Sequence, residues 1–416
     1  MEATPKGLRL HIGLFGRRNV GKSSLFNQLL HQDTAIVSAI PGTTTDPVEK
    51  TMEFQPLGPV VFIDTAGIDD VGSLGAQRID RTLRVVHRTD LAILVTDGEW
   101  GDYETQLVTL FHAQKLPVIL VANKSDLRSV EPTRPEIAIS LPAAISAFDF
   151  PIVSLSAKTG SGISQLRQAM IHSVPDDFVN PPSILGDLVH EGELAILVVP
   201  VDKEAPKGRL ILPQVQVIRD LLDHHAQAIV VQDTELPQVF ARLREPPALV
   251  VTDSQAFARV AKWVPESIPM TGFSILFARY KGDLPTLAQG ATAIAQLRPG
   301  AKILIGEACT HHPIGDDIGR VKIPAWLRKK VGGDVEITVA AGRDYPENVQ
   351  GYDLVVHCGA CVWNRREMLS RIESARAVGV PITNYGMAIA FCLGIFDRAL
   401  RPFPAAIQAI NESVSR

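Results

Sequence analysis

The sequence predicts an α/β protein built around mostly parallel sheets. Short apolar runs alternate with amphipathic stretches along most of its 416 residues. Runs such as Leu91–Thr96 and Val118–Ala122 are apolar throughout, which is typical of strands covered by helices on both faces of a parallel sheet. The length indicates about three domains, at roughly 150 residues per domain.

Composition and charge narrow the class of protein. Hydrophobic residues make up 46% and charged residues 21% of the chain, close to a soluble globular average, which excludes a disordered, collagen-like or coiled-coil chain. A net charge of −4 gives no overall basic surface for nucleic acid. No apolar run approaches the roughly 18 residues of a membrane span, and residues 1–5 do not resemble a secretory signal. With four cysteines we expect no disulfide framework and a cytoplasmic location.

The order of apolar runs predicts three domains: residues 1–175, 184–267 and 268–416. Prolines and aspartates across residues 176–183 predict a linker after the first domain. The middle domain has core patterning without clustered titratable residues, which favours an assembly module. No fixed-period repeat is evident. Strands are predicted at residues 8–15, 60–63, 91–96, 118–122, 152–155, 194–201, 228–232, 248–252, 302–306, 335–340, 353–356 and 380–383.

The first domain carries a phosphate-binding loop. The segment Gly16-Arg17-Arg18-Asn19-Val20-Gly21-Lys22-Ser23 fits the pattern G-x-x-x-x-G-K-[ST], with a predicted strand before it and a helix starting inside it. Glycines let successive backbone N–H groups face phosphate oxygens at the positive end of a helix. Lys22 would add charge at the outer phosphates, and the Ser23 hydroxyl can bind Mg²⁺. Ser24 completes the expected loop contacts.

Three further segments follow apolar runs in the order of a guanine-nucleotide site. Asp64-Thr65-Ala66-Gly67 can place Asp64 on the metal through water and the Gly67 N–H on a terminal phosphate. Asn123-Lys124-Ser125-Asp126 offers a carboxylate that can accept hydrogen bonds from guanine N1–H and the 2-amino group. Ser156-Ala157-Lys158 completes the set. Over residues 8–174 this order of motifs resembles the Ras-like GTPase superfamily, which implies GTP and Mg²⁺ as ligands.

The resemblance also implies functional roles. The first switch would be residues 41–46, with Thr44 aligned to the Mg²⁺-binding threonine and Thr43 or Thr45 as alternatives. Ile68 stands where a water-orienting glutamine would lie, so slow intrinsic hydrolysis is expected. Asn19 is similar to a K⁺-binding asparagine of tRNA-modifying and ribosome-assembly GTPases, so K⁺ activation is a hypothesis. The expected catalytic residues are Asn19, Lys22, Thr44 and Gly67, and the expected Mg²⁺ ligands are Ser23, Thr44 and Asp64.

The third domain contains a candidate metal constellation. Cys309-Thr310-His311-His312 and His357-Cys358-Gly359-Ala360-Cys361 each follow a predicted strand. Because the carboxyl ends of parallel strands meet at one edge of a sheet, we expect the three cysteines to converge there. Cys392 lies in an apolar stretch and is predicted to be a packing residue.

The residues alone leave the identity of the metal open. Zinc would take a closed set formed by Cys309, His311, Cys358 and Cys361. An iron–sulfur cluster would use the three thiolates and leave one iron with a weaker ligand. The candidates for that fourth ligand are His311, His357 and Glu307.

Cys-x-His followed by His-Cys-x-x-Cys, behind a GTPase domain, resembles the HydF family of maturation GTPases for di-iron (FeFe) hydrogenases. Residues 205–216, 252–257, 316–320 and 381–386 agree with that family. The resemblance implies a 4Fe-4S cluster on Cys309, Cys358 and Cys361 and a homodimer formed through the middle domain. It also implies a scaffold or carrier that receives a di-iron precursor from two radical-SAM partner enzymes and delivers it to apo-hydrogenase.

The alternative is a TrmE- or Era-like GTPase that acts in RNA modification or ribosome assembly and carries a structural zinc module. The negative net charge argues against it, as does the absence of any basic run longer than Arg328-Lys329-Lys330. We therefore expect neither a nucleic-acid nor a membrane partner. No convincing Ser/His/Asp or paired-carboxylate arrangement marks the third domain as a separate enzyme.

Overall fold

The chain forms two compact units, Met1–Pro181 and Pro182–Arg416. This computed structural model describes residues 4–31, 38–40, 48–65, 82–127, 142, 145, 148–200, 210–308, 317–346 and 348–414. Both units combine helices with mostly parallel sheets, so the predicted fold class is confirmed. Among the described residues, every helix is too short or too polar to traverse a lipid bilayer.

A seven-stranded sheet organises the first unit, in the order β2-β3-β4-β1-β5-β6-β7. Strands β2 and β3 are antiparallel additions at one edge, and the remaining neighbours are parallel. The strands are β1 (Leu10–Phe15), β2 (Ser38–Ile40), β3 (Val48–Phe54), β4 (Gly58–Asp64), β5 (Leu91–Thr96), β6 (Val118–Ala122) and β7 (Ile152–Ser154). The helices are α1 (Lys22–His31), α2 (Asp102–Ala113), α3 (Ile163–His172) and α4 (Asp176–Val179).

The central strands are apolar on both faces because the sheet has a hydrophobic cluster on each side. Strands β1, β5 and β6 show no alternation of buried and exposed positions, because all of their residues are buried. Within β4, Phe62 packs into one cluster and Ile63 into the other. Strand β3 was not predicted, because three consecutive polar residues, Glu49, Lys50 and Thr51, interrupt the alternation typical of a strand.

Two four-stranded parallel sheets organise the second unit. The first has the order β11-β10-β8-β9 and contains β8 (Leu194–Val198), β9 (Gln227–Val231), β10 (Leu249–Thr252) and β11 (Met270–Gly272). The second has the order β13-β12-β14-β15 and contains β12 (Lys302–Glu307), β13 (Glu336–Ala341), β14 (Leu354–His357) and β15 (Ile382–Asn384). Because β11 pairs with β10, the first of these sheets extends past residue 267, where a domain boundary was predicted. The three-domain division stays a prediction.

The helices of the second unit are set by local signals at several of their starts. Asp283, Asn364 and Asn384 each accept a backbone hydrogen bond from the third residue of the helix that follows, which stabilises the helix N-terminus. The helices are α5 (Leu212–Asp223), α6 (Leu236–Phe240), α7 (Phe257–Val260), α8 (Phe273–Lys281), α9 (Leu284–Thr292), α10 (Ile323–Val331), α11 (Arg365–Ala377), α12 (Tyr385–Cys392), α13 (Phe396–Leu400) and α14 (Pro404–Val414).

The two sheets of the second unit are copies of one topology with one register. In each, the first strand lies between the second and the third, and the fourth lies outside the third. When Leu249 of the first sheet is matched with Leu354 of the second, the register of all three strand pairs is the same in both sheets. The matching pairs are Ala195–Leu249 and Ile303–Leu354, Ala195–Ala228 and Ile303–Ile337, and Val250–Met270 and Val355–Ile382.

The sequence supports the same correspondence. Leu249-Val250-Val251 matches Leu354-Val355-Val356, and Pro269-Met270-Thr271 matches Pro381-Ile382-Thr383. Gly208-Arg209-x-x-Leu212-Pro213 matches Gly319-Arg320-x-x-Ile323-Pro324. We call residues 193–282 the first repeat and residues 301–393 the second repeat. Insertions of different length between the strands vary the period and hide this duplication in the sequence.

The repeats pack against each other through equivalent positions. Ser274 and Gly386 follow the fourth strand of their repeats by the same number of residues, and a Cβ on Gly386 would lie 2.5 Å from Ser274 Cβ. The Asn384 amide donates to the Ser274 carbonyl at 2.9 Å. Contact between equivalent residues indicates an approximate two-fold relation, as in an isologous dimer. One hydrophobic cluster contains residues of both repeats.

Candidate functional site

The phosphate loop joins β1 to α1 in a conformation that requires its glycines. Gly16 and Gly21 have φ values of 138° and 99°. A Cβ on Gly16 would lie 2.2 Å from the Val95 carbonyl oxygen, and one on Gly21 would lie 2.2 Å from Asn123 Nδ2. The loop therefore packs against the ends of neighbouring strands, with no room for side chains at these two positions.

Lys22, Ser23 and Asp64 come together at the carboxyl ends of β1 and β4. The Lys22 side chain is buried, and its ammonium donates to the carbonyls of Gly16 and Arg17, the latter at 3.0 Å. Ser23 Oγ donates to Asp64 Oδ2 at 3.4 Å. A hydroxyl and a carboxylate this close can share one Mg²⁺, directly or through water, beside a cation suited to phosphate.

The segments after β6 and β7 are tied to the phosphate loop by Asn123. Its Nδ2 donates to the Val20 carbonyl at 2.7 Å, and its Oδ1 accepts from the Ala157 N–H at 2.9 Å. Ser156 Oγ donates to Asp126 Oδ1 at 2.6 Å, which orients the carboxylate expected to bind guanine. These residues were predicted to lie in one site, and the structure brings them together.

Other predicted nucleotide-binding residues are exposed, and Arg17 makes a contact that the sequence did not indicate. Arg18, Asn19, Ser24 and Lys158 are exposed. Arg17 Nε donates to Glu104 Oε1 at 2.8 Å, and this glutamate on α2 has no exposed surface. Glu104 was missed because its position in a helix separates it from every nucleotide motif. The predicted switch residues Thr43, Thr44, Thr45, Gly67 and Ile68 lie outside the described residues, so their roles stay predictions.

The residue before Cys309 and the Cys358 segment meet between β12 and β14. The backbone N–H of Ala308 donates to Cys358 Sγ at 3.1 Å, and Cys358 N–H donates to the Gly306 carbonyl at 2.8 Å. Cys309 lies outside the described residues, but it is bonded to Ala308, and consecutive Cα atoms are about 3.8 Å apart. Ala308 and Cys358 therefore meet at the point where the strand order reverses, a common ligand site in parallel sheets.

Cys361 follows in a turn that a lysine of the first repeat holds. Lys281 Nζ donates to the carbonyls of Ala360, Cys361 and Trp363 at 3.4, 2.9 and 2.7 Å. Burial lowers the pKa of Lys281 to about 8, and the charge of Cys361 acts in the opposite direction. Cys358 and Cys361 are both partly exposed, and neither forms a disulfide with another described residue.

The donor chemistry of this edge fits a thiolate-bound metal group. Cysteine sulfur favours zinc and iron–sulfur clusters over hard cations. Within the described part of the chain, no group of three His, Cys, Asp or Glu residues is placed to bind a metal ion. Cys309 and His311 lie outside that part of the chain. Cys392 lies elsewhere, partly buried in an apolar cluster, where burial raises the pKa of its thiol to about 11.

His357 makes two hydrogen bonds that engage both of its ring nitrogens. Nε2 lies 2.7 Å from Arg371 Nη1 and Nδ1 lies 2.8 Å from the Cys358 carbonyl oxygen. Because a guanidinium can only donate, Nε2 accepts and the proton is assigned to Nδ1. Burial, together with the charge of Arg371, lowers the pKa of His357 to about 3. As placed, this neutral histidine supports the backbone of Cys358 and offers no free nitrogen to a metal.

Arg371 is itself held between two aromatic rings. Its guanidinium carbon lies 3.8 Å from the centre of the Tyr345 ring and 4.1 Å from that of Trp363. Nη2 donates to the Gly342 carbonyl at 2.9 Å. These contacts fix the arginine and, through it, the ring of His357.

Glu307 is the acidic candidate for a fourth ligand and ends β12 two residues before Cys309. It is nearly buried, and Oε2 accepts from Arg320 Nη2 at 3.2 Å. Burial and the nearby charges of Cys358 and Glu307 raise the pKa of the Tyr385 hydroxyl well above its usual range. The carboxylate is thus placed beside the cysteine edge, although part of its capacity is used by Arg320.

The fold and motifs of the first unit define a P-loop GTPase domain, and residues 11–124 match the family model of the 50S ribosome-binding GTPases. Residues 184–282 match the dimerization domain of hydrogen maturase F, and residues 285–402 match its tetramerization domain. The chain belongs to the hydrogen maturase F (HydF) family. The names of the two domains support oligomerization of the chain.

Curated relatives that are named as GTPases match less than half of this chain. GTPase Der of Wolinella succinogenes is 35% identical over 202 residues, which cover 46% of this chain and 41% of the relative. The tRNA modification GTPase MnmE of Nitrosomonas europaea is 38% identical over 164 residues, which cover 39% of this chain and 34% of the relative. The chain thus spans less than half the length of these relatives.

Among solved structures, the G domain of the FeoB iron transporter of T. maritima is 23% identical. The match covers 40% of this chain and 98% of that one, with a TM-score of 0.28.

Proposed function

We propose that this chain is a GTP-hydrolysing scaffold that binds a 4Fe-4S cluster and carries the di-iron precursor of the FeFe-hydrogenase active site. Membership of the HydF family and the nucleotide-site geometry support the two halves of this proposal. The observation that carries the cluster half is the 3.1 Å hydrogen bond from Ala308, the neighbour of Cys309, to Cys358 Sγ.

In the GTPase half, each residue has a stated task. Lys22 neutralises charge on the outer phosphates, and Ser23 and Asp64 hold Mg²⁺ with Thr44. Gly67 contacts the terminal phosphate, and Asp126 selects guanine. Because Ile68 cannot orient water, we propose that a K⁺ ion bound through Asn19 adds positive charge at the transferring phosphate. Hydrolysis several-fold faster in KCl than in NaCl is expected, and equal rates would contradict the K⁺ proposal.

In the cluster half, Cys309, Cys358 and Cys361 supply three thiolates. A 4Fe-4S cluster held this way supplies one iron with an exchangeable ligand, which suits a carrier better than a closed zinc site. Glu307 and His311 are the proposed fourth ligands, because His357 is engaged by Arg371 and the Cys358 carbonyl. Arg371 and His357 keep the Cys358 backbone in place.

The partners follow from the family. We propose a homodimer that meets two radical-SAM maturation enzymes and apo-hydrogenase, with the di-iron precursor as cargo. The relatives GTPase Der and the tRNA modification GTPase MnmE match less than half of this chain, so they give little support for an RNA-directed function of the whole protein.

An anaerobic reconstitution tests the proposal. Wild-type protein should hold iron and sulfide in equal amounts, with broad visible absorbance and, after reduction, the EPR signal of a 4Fe-4S cluster. Colourless protein with one tightly bound zinc would contradict the cluster half.

The GTPase half is tested with Lys22→Ala. Loss of the charge at the phosphates should slow GTP hydrolysis by about 10²-fold or more, with unchanged iron content as the internal control. Hydrolysis at the wild-type rate would contradict the assigned role of Lys22.

A further inference from the structure

A buried lysine connects the first repeat to the cysteine turn of the second. Lys281 is the last residue of α8 and is 2% exposed. Its three N–H donors meet three carbonyl oxygens of the turn, those of Ala360, Cys361 and Trp363. The ammonium therefore has its hydrogen bonds satisfied entirely by the turn that carries Cys361.

The described part of the chain places no carboxylate in an ion pair with the Lys281 ammonium. Carbonyl oxygens contribute dipoles without a net charge. A buried cation without a counter-charge costs several kcal/mol. The hydrogen bonds to the three carbonyls offset part of that cost, and an anion held by this turn would offset the rest.

A second cation, Arg365 of the second repeat, holds the end of the helix that carries Lys281. Arg365, the first residue of α11, donates through Nη1 to the carbonyls of Tyr280 at 2.6 Å and Gly282 at 3.3 Å. These carbonyls lie at the C-terminal end of α8, where a cation is favourable. The repeats thus exchange cations: Lys281 binds the turn before α11, and Arg365 binds the end of α8.

The first repeat has a cross-repeat lysine contact at the equivalent turn, but of a different kind. Lys322 of the second repeat donates to Gln255 Oε1 at 2.5 Å, and Gln255 corresponds to Ala360. That turn carries Asp253 and Ala256 where the second repeat carries Cys358 and Cys361. The three-carbonyl lysine contact therefore belongs to the turn with the cysteines.

We propose that Lys281 is a positioning residue of the metal site, supplied by the first repeat, that orders the Cys358–Cys361 turn and compensates the negative charge of the thiolate-bound cluster. This inference rests on the proposed 4Fe-4S function. A fixed positive charge beside the cluster favours its reduced, more negative state, so it raises the reduction potential. The same contacts slow the opening of the turn and the release of iron.

The test compares four reconstituted full-length proteins: wild type, Lys281→Met, Lys281→Gln and Lys322→Met. Redox titration followed by EPR measures the potential, and transfer of iron to a chelator measures retention. Lys281→Met should lower the potential and release iron about 10-fold faster or more, as for other residues that support metal ligands. Lys322→Met should match wild type in both.

Lys281→Gln separates the charge from the hydrogen bonds. Its amide can donate to two carbonyls but carries no charge, so its potential should fall as in Lys281→Met while its iron release stays closer to wild type. It also serves if Lys281→Met does not fold.

The outcomes separate the two proposals. Wild-type potential in Lys281→Gln, or an equal fall in Lys322→Met, would overturn the inference about Lys281. A wild-type protein that holds no cluster would overturn the proposed function itself.

Discussion

The two repeats of the second unit have one strand order and one register but different residues where the strands end. Thr252, Asp253 and Ala256 stand in the first repeat where His357, Cys358 and Cys361 stand in the second. The backbone therefore determines where strand ends converge, and the side chains placed there determine the chemistry.

The first repeat uses its strand end for structure. Asp253 Oδ2 accepts from Gln214 Nε2 at 2.9 Å, and Gln214 Oε1 accepts from the Ile211 N–H at 3.1 Å. The carboxylate thereby fixes the first turn of α5. In the second repeat the equivalent sulfur accepts from Ala308 and faces the neighbour of another cysteine. The same position supports a helix in one copy and a proposed metal site in the other.

The largest effect is expected when the cysteine that distinguishes the second repeat is replaced. Cys358→Ser should reduce cluster iron by about 10-fold or more, because a hydroxyl is a poor replacement for a thiolate ligand. Iron and sulfide per chain after anaerobic reconstitution measure the effect. The matched variant Asp253→Asn, at the equivalent position of the first repeat, should retain wild-type iron. Equal losses in both variants would mean that iron content reports general unfolding.

A smaller effect is expected when Arg371, which supports the end of β14 in the second repeat, is replaced. Arg371→Met should lower the free energy of unfolding by about 2 kcal/mol, because it leaves buried His357 Nε2 without its donor and removes two ring contacts. Urea unfolding followed by circular dichroism measures it. Arg376→Met is the control on the same helix, with an exposed side chain paired to Glu373, and should change stability by less than about 0.5 kcal/mol. Equal stability of the two variants would refute the bracing role of Arg371.

The smallest expected effect tests the close contact between equivalent positions of the two repeats. Gly386→Ala would place a Cβ 2.5 Å from Ser274 Cβ, so the helices must separate or shift. We expect a loss of about 1 kcal/mol, because crowding outweighs the better helix propensity of alanine. Gly351→Ala, with nothing within 4 Å of the added atom, should stay near wild type in the same urea assay. A more stable Gly386→Ala would show that the repeats are not in close contact there.

Much of the fold could be read from local patterns, and the misses have physical causes. Strands β5 and β6 were predicted with the observed bounds, since strands buried on both faces leave continuous apolar runs. Strand β11 and helix α8 were missed, because a three-residue strand followed at once by a largely buried helix has no distinguishing period. The duplication was missed because its spacing varies.

In the candidate sites, residues within motifs of fixed spacing were predicted from the sequence, and residues from remote helices were not. Asn123, Asp126 and Ser156 were recognised because their motifs have fixed internal spacing after buried strands, and the structure joins them by hydrogen bonds. Glu104 and Lys281 were not recognised, because each reaches its site from a helix remote in sequence. Their roles depend on which helix faces which loop.

The sequence by itself determined the class of fold, the phosphate loop with its order of motifs, and the cysteines available as ligands. These features depend on local spacing and on the alternation of apolar runs, which neighbouring residues impose on one another. Three contacts follow from tertiary packing alone: Ala308 meets Cys358, Arg371 holds His357, and a lysine of one repeat supports the turn of the other. Such contacts join residues 14 to 80 positions apart, and their geometry depends on how sheets and helices pack around shared cores.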